Sequence, residues 1–369
     1  MPVYWSMLIV TSLISIYSLE VKKKNIEQYN KNQFKYSLIS FAYIVFFCGM
    51  RDKVLDTGTY IAMYKSIPTE FANMVHWAIN MDTGKGFYLM TGIFKIIMPD
   101  SHYIWLTAIS GLSCAMLLRT YNKYSDNMPF VIYLFLATAT FTWLINGMRQ
   151  FLAATILFGF ADLIVDGEKN SKMKYILLVL LMYTIHSSAI FFLPITVIVS
   201  SKKIWDKKMV LFVVMAVIGT YFSDSVFSVL NSSMDKDYTA SLESGGGSSY
   251  MRLLIALIPI IMVIFTKKSI EKKATPEIKV AINMSLISAC FYFASTFTNG
   301  ILVGRMPIYF NIYNLYLLPW IIKNCFEKRT GMIITIICIV MYLAYFYYQM
   351  EIAWHGLGYV SDILNLNYK

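Results

Sequence analysis

Residues 128–164 read MPFVIYLFLATATFTWLINGMRQFLAATILFGFADLI, two long apolar runs that meet at a short polar segment. That segment, Asn146-Gly147-Met148-Arg149-Gln150, is too short to form a solvated loop. Leaving a cation in hydrocarbon costs roughly 3 kcal/mol on membrane-insertion scales, so Arg149 is expected at a helix end. The stretch predicts two membrane helices joined by a tight hairpin, whose arginine is held by a ligand or by a carboxylate of another helix.

The same alternation of apolar runs and short polar connections continues along all 369 residues. The chain is 57% hydrophobic and 14% charged, against roughly 25% charged residues in a soluble domain. Lipid offers no partner to an unpaired backbone group, so the spans must be helical. The predicted fold class is therefore an all-α, polytopic integral membrane protein of about twelve transmembrane helices, with a single membrane domain over residues 1–369. The predicted crossings are 3–19, 34–50, 103–118, 128–145, 148–164, 175–186, 188–200, 209–222, 251–266, 280–297, 301–322 and 331–349.

Basic residues divide the connections into two sets. Alternate loops hold 22 of the 32 Lys and Arg residues: 20–35, 119–127, 164–174, 201–208, 267–279 and 323–330. Cytoplasmic loops carry that excess, so these loops are predicted to face the cytoplasm. The net charge of +11 is then a topology signal and a contact with anionic lipid, not a nucleic-acid footprint. The segment 51–102 and the loop 223–250 are predicted to face outward, as is Arg149.

Two stretches decide whether all of these basic loops face the same side of the membrane. Phe87–Met98 is too short to cross and is expected to be re-entrant or to lie in the interface. Tyr175–Val199 is expected to cross twice, turning at His186. If each stretch crosses once instead, the chain still has twelve spans, but Arg149 moves to the cytoplasmic face. That alternative leaves five basic residues outside and a histidine in mid-bilayer.

The polar residues are too scattered to predict a metal or cofactor site. The five cysteines lie in or beside apolar runs without a CxxC pair, and no acidic metal pair is visible. The first run, Val3–Leu19, is expected to be a retained span, because it lacks a basic leader and a cleavage site. No cofactor, metal or nucleic-acid partner is predicted.

Four further residues stand out by chemistry. Arg51 and Asp56 follow the second apolar run within six positions, and they are either an anchor for an anionic or hydroxyl-rich ligand or ordinary residues of a solvated loop. His186 lies inside an apolar run, where it is either a packing residue or a group that hydrogen-bonds a ligand or accepts a proton. Arg305 opens a late apolar run and shares a predicted helical face with Tyr309.

These segments, in this order, resemble the EpsG/Wzy-like family of bacterial polysaccharide polymerases over most of the chain. Lys85 stands where the family often has an acidic residue, so no acid/base role is expected there. The likeness rests on Arg51 with Asp56-Thr57 and Tyr60, on Gly86-Phe87-Tyr88, on Asn146–Gln150 with Ala153, on His186-Ser187-Ser188-Ala189, and on Arg305 with Tyr309-Phe310.

The resemblance implies a membrane glycosyltransferase of C-type-like architecture. Such enzymes join oligosaccharide repeat units carried on undecaprenyl diphosphate, at the outward face of the bacterial plasma membrane. The expected partners are lipid-linked glycans as donor and acceptor, membrane lipids and a chain-length regulator protein. A lipid-linked oligosaccharide flippase and a single-transfer, O-antigen ligase-like transferase are the alternatives.

A metal-independent reaction follows for this chain. Arginines at helix ends would bind the donor diphosphate, because a planar guanidinium makes two-point contact with phosphate. A base would take the proton from the attacking sugar hydroxyl. The predicted assignments are diphosphate binding by Arg149, Arg305 and Arg51; proton transfer by His186 or Asp56; and sugar contacts by Asn146, Gln150, Tyr60 and Tyr309.

Overall fold

The protein was analysed as a computed structural model that describes residues 2–165, 170–199, 201–222, 248–298, 301–353 and 357–368. Residues 223–247, which make up nearly all of the predicted outward loop 223–250, lie outside the described residues. The chain divides into two compact units, one of Met1–Ala161, Tyr175–Ile190 and Glu327–Lys369, the other of Asp162–Lys174 and Phe191–Phe326. The single membrane domain over residues 1–369 stays a prediction.

The first unit is built from helices and one small hairpin. Its elements are α1 Pro2–Lys24, α2 Ile26–Gly49, α3 Thr57–Ser66, α4 Phe71–Ile79, α5 Lys85–Ile97, α6 His102–Tyr124, α7 Met128–Ala137, α8 Met148–Gly159, residues 175–185 of α9 Ser171–Ile185, and, after the second unit, the helix Lys328–Tyr347 and the strands β1 Tyr359–Ser361 and β2 Leu366–Tyr368.

The regular elements among the described residues of the second unit are all helices. It contains α10 Phe192–Ile198, α11 Lys207–Tyr221, α12 Tyr250–Lys273, α13 Pro276–Thr298, α14 Ile301–Arg305 and α15 Asn314–Cys325; the helix Lys328–Tyr347 of the first unit is therefore α16.

Polar side chains fix where several helices begin. Asn25 accepts a hydrogen bond from the Gln28 amide at the start of α2. Asn127 does the same for Phe130 at the start of α7, where Pro129 also suits the first turn. Asp206 accepts from two amides at the start of α11. The starts of α7 and α11 lie at or near the predicted positions 128 and 209, whereas α2 begins at Ile26, before the predicted position 34.

The described residues contain five helices that are long and apolar enough to cross a membrane. They are Pro2–Lys24, His102–Tyr124, Tyr250–Lys273, Pro276–Thr298 and Lys328–Ala353, the last running from α16 into the π-helical turn Tyr348–Ala353. The all-α, membrane-embedded class is therefore confirmed. The count of twelve spans and the C-type architecture stay predictions.

Two predicted continuous crossings are interrupted. The crossing 128–145 breaks after α7, where Ala139 has φ +58° and a 3₁₀ turn Thr140–Leu144 follows. The crossing 301–322 breaks after α14 into 3₁₀ turns over Met306–Tyr309 and Asn311–Tyr313 before α15 begins. Pro307 has no amide to continue the α-helical hydrogen bonds at this point. Arg305 and Tyr309 therefore do not share one face of a continuous α-helix, as the spacing had suggested.

A C-terminal hairpin closes over the turn that follows α2. Strands β1 and β2 are antiparallel, and Lys53 forms a bridge to Val360 that adds the turn to the hairpin. The Asp52 carboxylate accepts hydrogen bonds from the Tyr103 hydroxyl (2.7 Å) and the Asp362 amide (2.8 Å), with His102 Nε2 at 3.2 Å. The hairpin thus fixes the chain immediately beside Arg51.

These contacts set the protonation of Asp52. Partial burial by itself raises the pKa of Asp52, but the hydrogen bonds from the Asp362 amide, the Tyr103 hydroxyl and His102 outweigh it and lower the pKa below its usual value. A carboxylate whose pKa is lowered by folding stabilises the folded state above its unfolded pKa, and that stabilisation is lost as the pH falls through the folded value.

Replacing Asp52 by Asn should therefore destabilise the protein in a pH-dependent manner. We expect a lower thermal unfolding midpoint at pH 7, because charge-assisted hydrogen bonds are lost. The difference between the variant and the parent protein should be full above about pH 4, near the ordinary pKa of Asp, and should shrink as the pH falls below that toward the lower folded pKa. Tryptophan fluorescence melts in detergent at one scan rate measure this. Asp82→Asn, at an exposed carboxylate, is the control; an equal loss at pH 3 and pH 7 would contradict the assignment.

Candidate functional site

Arg149 is the second residue of α8, and a glycine sets the direction in which it enters the helix. Gly147 precedes α8 with φ +73°, a left-handed conformation that glycine adopts without a steric penalty. The half-buried Arg149 side chain crosses to α5. Its Nη1 donates to the Tyr88 hydroxyl at 3.2 Å, and the guanidinium lies over the rings of Phe87 and Tyr88, at 5.7 and 5.6 Å from their centroids.

The start of α5 lies against the same guanidinium. Gly84 precedes α5 with φ +74°, and a Cβ on it would lie 3.0 Å from Arg149 Nη1 and 3.2 Å from the Ile185 carbonyl oxygen. A Cβ on Gly86 would overlap Thr184 Oγ1. The two glycines therefore permit the first turn of α5 to approach both Arg149 and the last turn of α9. The sequence Thr83-Gly84-Lys85-Gly86 is here a helix entry.

This contact bears on the orientation of the chain. In the alternative topology, residues 51–86 face outward while Arg149 lies on the cytoplasmic face, on the other side of the membrane. Gly84 lies beside Arg149, and α5 is 13 residues long, which is short for a crossing. The orientation of the chain stays a prediction.

The junction is electropositive for two reasons. Arg149 carries a full charge, and both α5 and α8 begin beside it. The first amides of a helix have no acceptor within the helix, and the helix dipole adds a partial positive charge at that end. Two helix starts beside a guanidinium are an arrangement that suits the binding of an anion.

Helix α3 adds a phenol and a carboxylate to the site. Tyr60 lies near enough to Arg149 to interact with it electrostatically, and Asp56, at the start of α3, interacts in the same way with Tyr60. Burial raises the pKa of Tyr60 above its usual value, and Arg149 offsets only part of that rise, so the phenol is protonated at neutral pH. Asp56 is half-buried. This group offers a cation, a hydroxyl and a carboxylate within one cluster.

A second polar chain runs from α8 to the break after α9. Gln150 Nε2 donates to Ser188 Oγ at 3.0 Å, and Ser188 Oγ lies 2.8 Å from His186 Nδ1. Gln150 is 4% exposed, whereas Ser188 and His186 are half-buried. The Gln150 side chain thereby links α8 to the chain segment that follows α9. Asn146 lies half-buried in the turn before Gly147.

Arg51 is fully buried, and protein groups accept its hydrogen bonds. Nε donates to Thr57 Oγ1 at 2.9 Å and Nη2 to the Leu144 carbonyl at 3.4 Å, while Nη1 donates to the Cys48 carbonyl. Met148 Sδ lies 3.7 Å from Nη2. The guanidinium thereby joins the end of α2, the start of α3 and the turn before α8.

Arg305 and Tyr309 belong to the second unit and differ in exposure. Arg305 is exposed at the end of α14. Tyr309 is 1% exposed and packs against Phe192, with ring centroids 5.7 Å apart. Their predicted roles, in diphosphate and sugar binding, stay predictions.

Two residues in these contacts, Tyr88 and Ser188, were given no role from the sequence, and Gly84 was predicted only as a hinge before a short helix. The segments Gly86-Phe87-Tyr88 and His186-Ser187-Ser188 were among those behind the family resemblance, so the sequence pointed to these positions without assigning them a role.

Within the described part of the chain, no group of three His, Cys, Asp or Glu residues is placed to bind a metal ion.

Replacing Gly84 by Ala should disturb the site through backbone strain and crowding. A non-glycine residue in the left-handed region costs roughly 1–2 kcal/mol, and the new Cβ would press on Arg149 Nη1. We expect a lower thermal unfolding midpoint. Gly58→Ala is the matched control, because Gly58 has open space around its Cβ position and should be neutral or slightly stabilising. Equal midpoints for the two variants would be inconsistent with this geometry.

Comparison with known families identifies the chain. The sequence profile of the EpsG family matches residues 34–356, which is most of the protein. Neither the curated proteins nor the solved structures searched give a match. The match includes every residue assigned above to the Arg149 site and ends just before the C-terminal hairpin.

Proposed function

Because the chain belongs to the EpsG family, and so to the membrane-embedded, glycosyltransferase-like polysaccharide polymerases, we propose a specific reaction for it. It polymerises oligosaccharide repeat units carried on undecaprenyl diphosphate. The reaction takes place at the outer face of the bacterial plasma membrane. One lipid-linked glycan is the donor, and a second is the acceptor.

The observation that carries this proposal is the setting of Arg149. A guanidinium, two helix starts and two phenols converge at one place in a helical membrane protein. A diphosphate needs several donors and a fixed positive charge, and arginine presents a planar pair of donors that suits phosphate oxygens. The neighbouring hydroxyls of Tyr60 and Tyr88 can bind phosphate or sugar oxygens.

The reaction is a substitution at the anomeric carbon of the donor sugar. The acceptor hydroxyl forms the new glycosidic bond, and the bond from the anomeric carbon to the diphosphate oxygen breaks, leaving its electron pair on the diphosphate. Arg149 stabilises that developing charge without a metal ion. Asp56 or His186 takes the proton from the acceptor hydroxyl.

The remaining residues take supporting roles in this proposal. Arg51 positions the site, because its buried guanidinium holds Thr57 and Leu144 on either side of it. Gln150 hydrogen-bonds Ser188, which lies beside His186. Sugar binding by Asn146 is part of the proposal. Diphosphate binding by Arg305, sugar binding by Tyr309 and a chain-length regulator as a partner also belong to the proposal.

The first test is repeat-unit polymerisation by the purified protein in lipid nanodiscs. With one defined undecaprenyl-diphosphate repeat unit, we expect a ladder of products that differ by one repeat. Arg149→Ala should reduce the rate about 100- to 1,000-fold, the loss typical of removing a donor that stabilises developing charge. Arg149→Lys should retain part of the activity. Product length is read by gel or mass spectrometry.

Arg329→Ala is the matched control, since Arg329 is exposed on α16 outside the site. A product with only one added repeat unit would show that the protein is a ligase-like transferase and not a polymerase. Movement of the lipid across the bilayer without a product would indicate a flippase.

The outward orientation is tested by labelling. Asn146→Cys should react in intact cells with a thiol reagent that cannot cross the membrane, because the turn before α8 is proposed to face outward. Cys325 lies in a connection predicted to be cytoplasmic, so it should react only after the cells are opened. Labelling of position 146 only in opened cells would place Arg149 on the cytoplasmic side and refute the orientation.

A further inference from the structure

Trp77 is a half-buried residue of α4, and its indole ring lies against Tyr88 of α5. The two ring centroids are 5.2 Å apart, and the rings are nearly perpendicular. The Tyr88 hydroxyl accepts the hydrogen bond from Arg149 Nη1 at 3.2 Å, and the Tyr88 ring centroid lies 5.6 Å from the Arg149 guanidinium. Tyr88 therefore contacts both residues, and Trp77 lies one side chain away from the cation.

Close packing between α4 and α5 fixes the position of Trp77. Met74 and Ala78 of α4 are fully buried, and a Cβ on Gly92 of α5 would overlap the Met74 side chain. The missing Cβ thus permits the two helices to approach one another. Because residues three and four apart share a helix face, Trp77 borders this buried row and is held beside Tyr88.

The remaining surface of α4 has an apolar side and a polar side. At 3.6 residues per turn, the exposed Phe71 and Ile79 lie on one side of the buried row, whereas Trp77 lies on the other side with Asn73 and Asn80. In an amphipathic helix at a membrane surface, the apolar side enters the lipid and the polar side stays in water. Trp77 is thus on the water side of α4, whereas an aromatic residue that only anchors the helix in lipid belongs on the apolar side.

Trp77 and Tyr88 each keep an unused donor. An indole N–H can only donate, and a hydroxyl that accepts from a guanidinium still has its own hydrogen for a second acceptor. Within the described part of the chain, neither the Trp77 N–H nor the Tyr88 hydroxyl hydrogen has an acceptor. A sugar matches this combination. The carbon-bound hydrogens on one face of its ring pack on the electron-rich face of an aromatic ring, and its hydroxyls accept hydrogen bonds.

We propose that Trp77 binds the first sugar of the donor glycan, the sugar joined to the diphosphate, by stacking its indole on that sugar ring. This rests on the proposed function and adds a sugar subsite to it. A single oxygen joins the anomeric carbon to phosphorus, so a sugar whose diphosphate is bound at Arg149 must lie directly beside the guanidinium. Trp77 is separated from Arg149 only by Tyr88, whose hydroxyl can donate to a phosphate or sugar oxygen.

The stacking contact acts on affinity and not on the chemical step. It stabilises the bound substrate and the transition state alike, and such uniform binding lowers KM without changing kcat. Trp77→Leu should therefore raise KM for the lipid-linked repeat unit in the polymerisation assay with kcat nearly unchanged, in contrast to Arg149→Ala.

Binding of two lipids that differ only in the glycan isolates the contact. The probes are undecaprenyl diphosphate and a non-reactive analogue that carries one repeat unit through a methylene group in place of the anomeric oxygen. Their dissociation constants are measured with full-length protein in nanodiscs. We expect Trp77→Leu to weaken binding of the analogue about 10-fold, equivalent to about 1.4 kcal/mol, because the aromatic face is lost. Binding of undecaprenyl diphosphate should be unchanged, because its phosphate donors remain.

Three further variants accompany this measurement. Trp77→Phe keeps an aromatic face and should lose less affinity for the analogue than Trp77→Leu. Phe71→Leu is the matched control, since Phe71 is 66% exposed on the apolar side of the same helix. Arg149→Ala should weaken both lipids. Unfolding midpoints show whether Trp77→Leu misfolds. In that case Trp77→Phe carries the test, because the fluorescence change on binding the analogue, among seven tryptophans, should be present in the parent and absent from this variant.

An equal loss of affinity for both lipids in Trp77→Leu, or no loss for either, would overturn the proposal and leave Trp77 as a packing residue. An analogue that binds the parent protein no more tightly than undecaprenyl diphosphate would overturn it as well. If Arg149→Ala binds undecaprenyl diphosphate as tightly as the parent, the diphosphate site of the proposed function fails, whatever the Trp77 variants show.

Discussion

The site depends on a positive charge that has been removed from water. Arg51 is completely buried, and a buried ion carries a penalty of several kcal/mol unless its donors are satisfied. Here they are satisfied by the Thr57 hydroxyl and by carbonyl oxygens, among them that of Leu144. Thr57 begins the helix that carries Tyr60, and Leu144 lies four residues before Met148. The guanidinium therefore joins the two chain segments on which the site is built.

Next to the buried Arg51, the residues of the site lie at helix ends and not along helix faces. Arg149, Gly84 and His186 each lie within two residues of a helix terminus. Termini are where backbone donors and acceptors lack partners within the helix, so they supply polarity to a protein that is otherwise apolar. Glycine at positions 84 and 147 permits the sharp entries that turn these ends toward one another. The polar chemistry is thus confined to a small region where lipid does not have to solvate it.

The sequence was informative wherever a residue type conflicts with its surroundings. Arg149 could be singled out because a cation between apolar runs needs an explanation, and the helical membrane class followed from composition. The break at Ala139 could not be predicted, since alanine is a good helix former and the left-handed conformation is imposed by tertiary packing. Arg51 shows the same limit. Its position after α2 predicted a ligand contact, whereas its burial depends on Thr57 and Leu144, and the latter is 93 positions away.

The hairpin at residues 359–368 has a consequence for how the protein folds while it is being synthesised. The amide of Asp362 reaches the Asp52 carboxylate across 310 positions of sequence. At a synthesis rate of about 5–20 residues per second, that separation corresponds to roughly 15–60 s on the ribosome. During this interval the turn beside Arg51 has no β1 to pair with, although the helices before it have already been made. During synthesis, the Arg51 side chain therefore spends this interval without the β1–β2 hairpin beside it. Quality-control proteases can act on the chain during that interval.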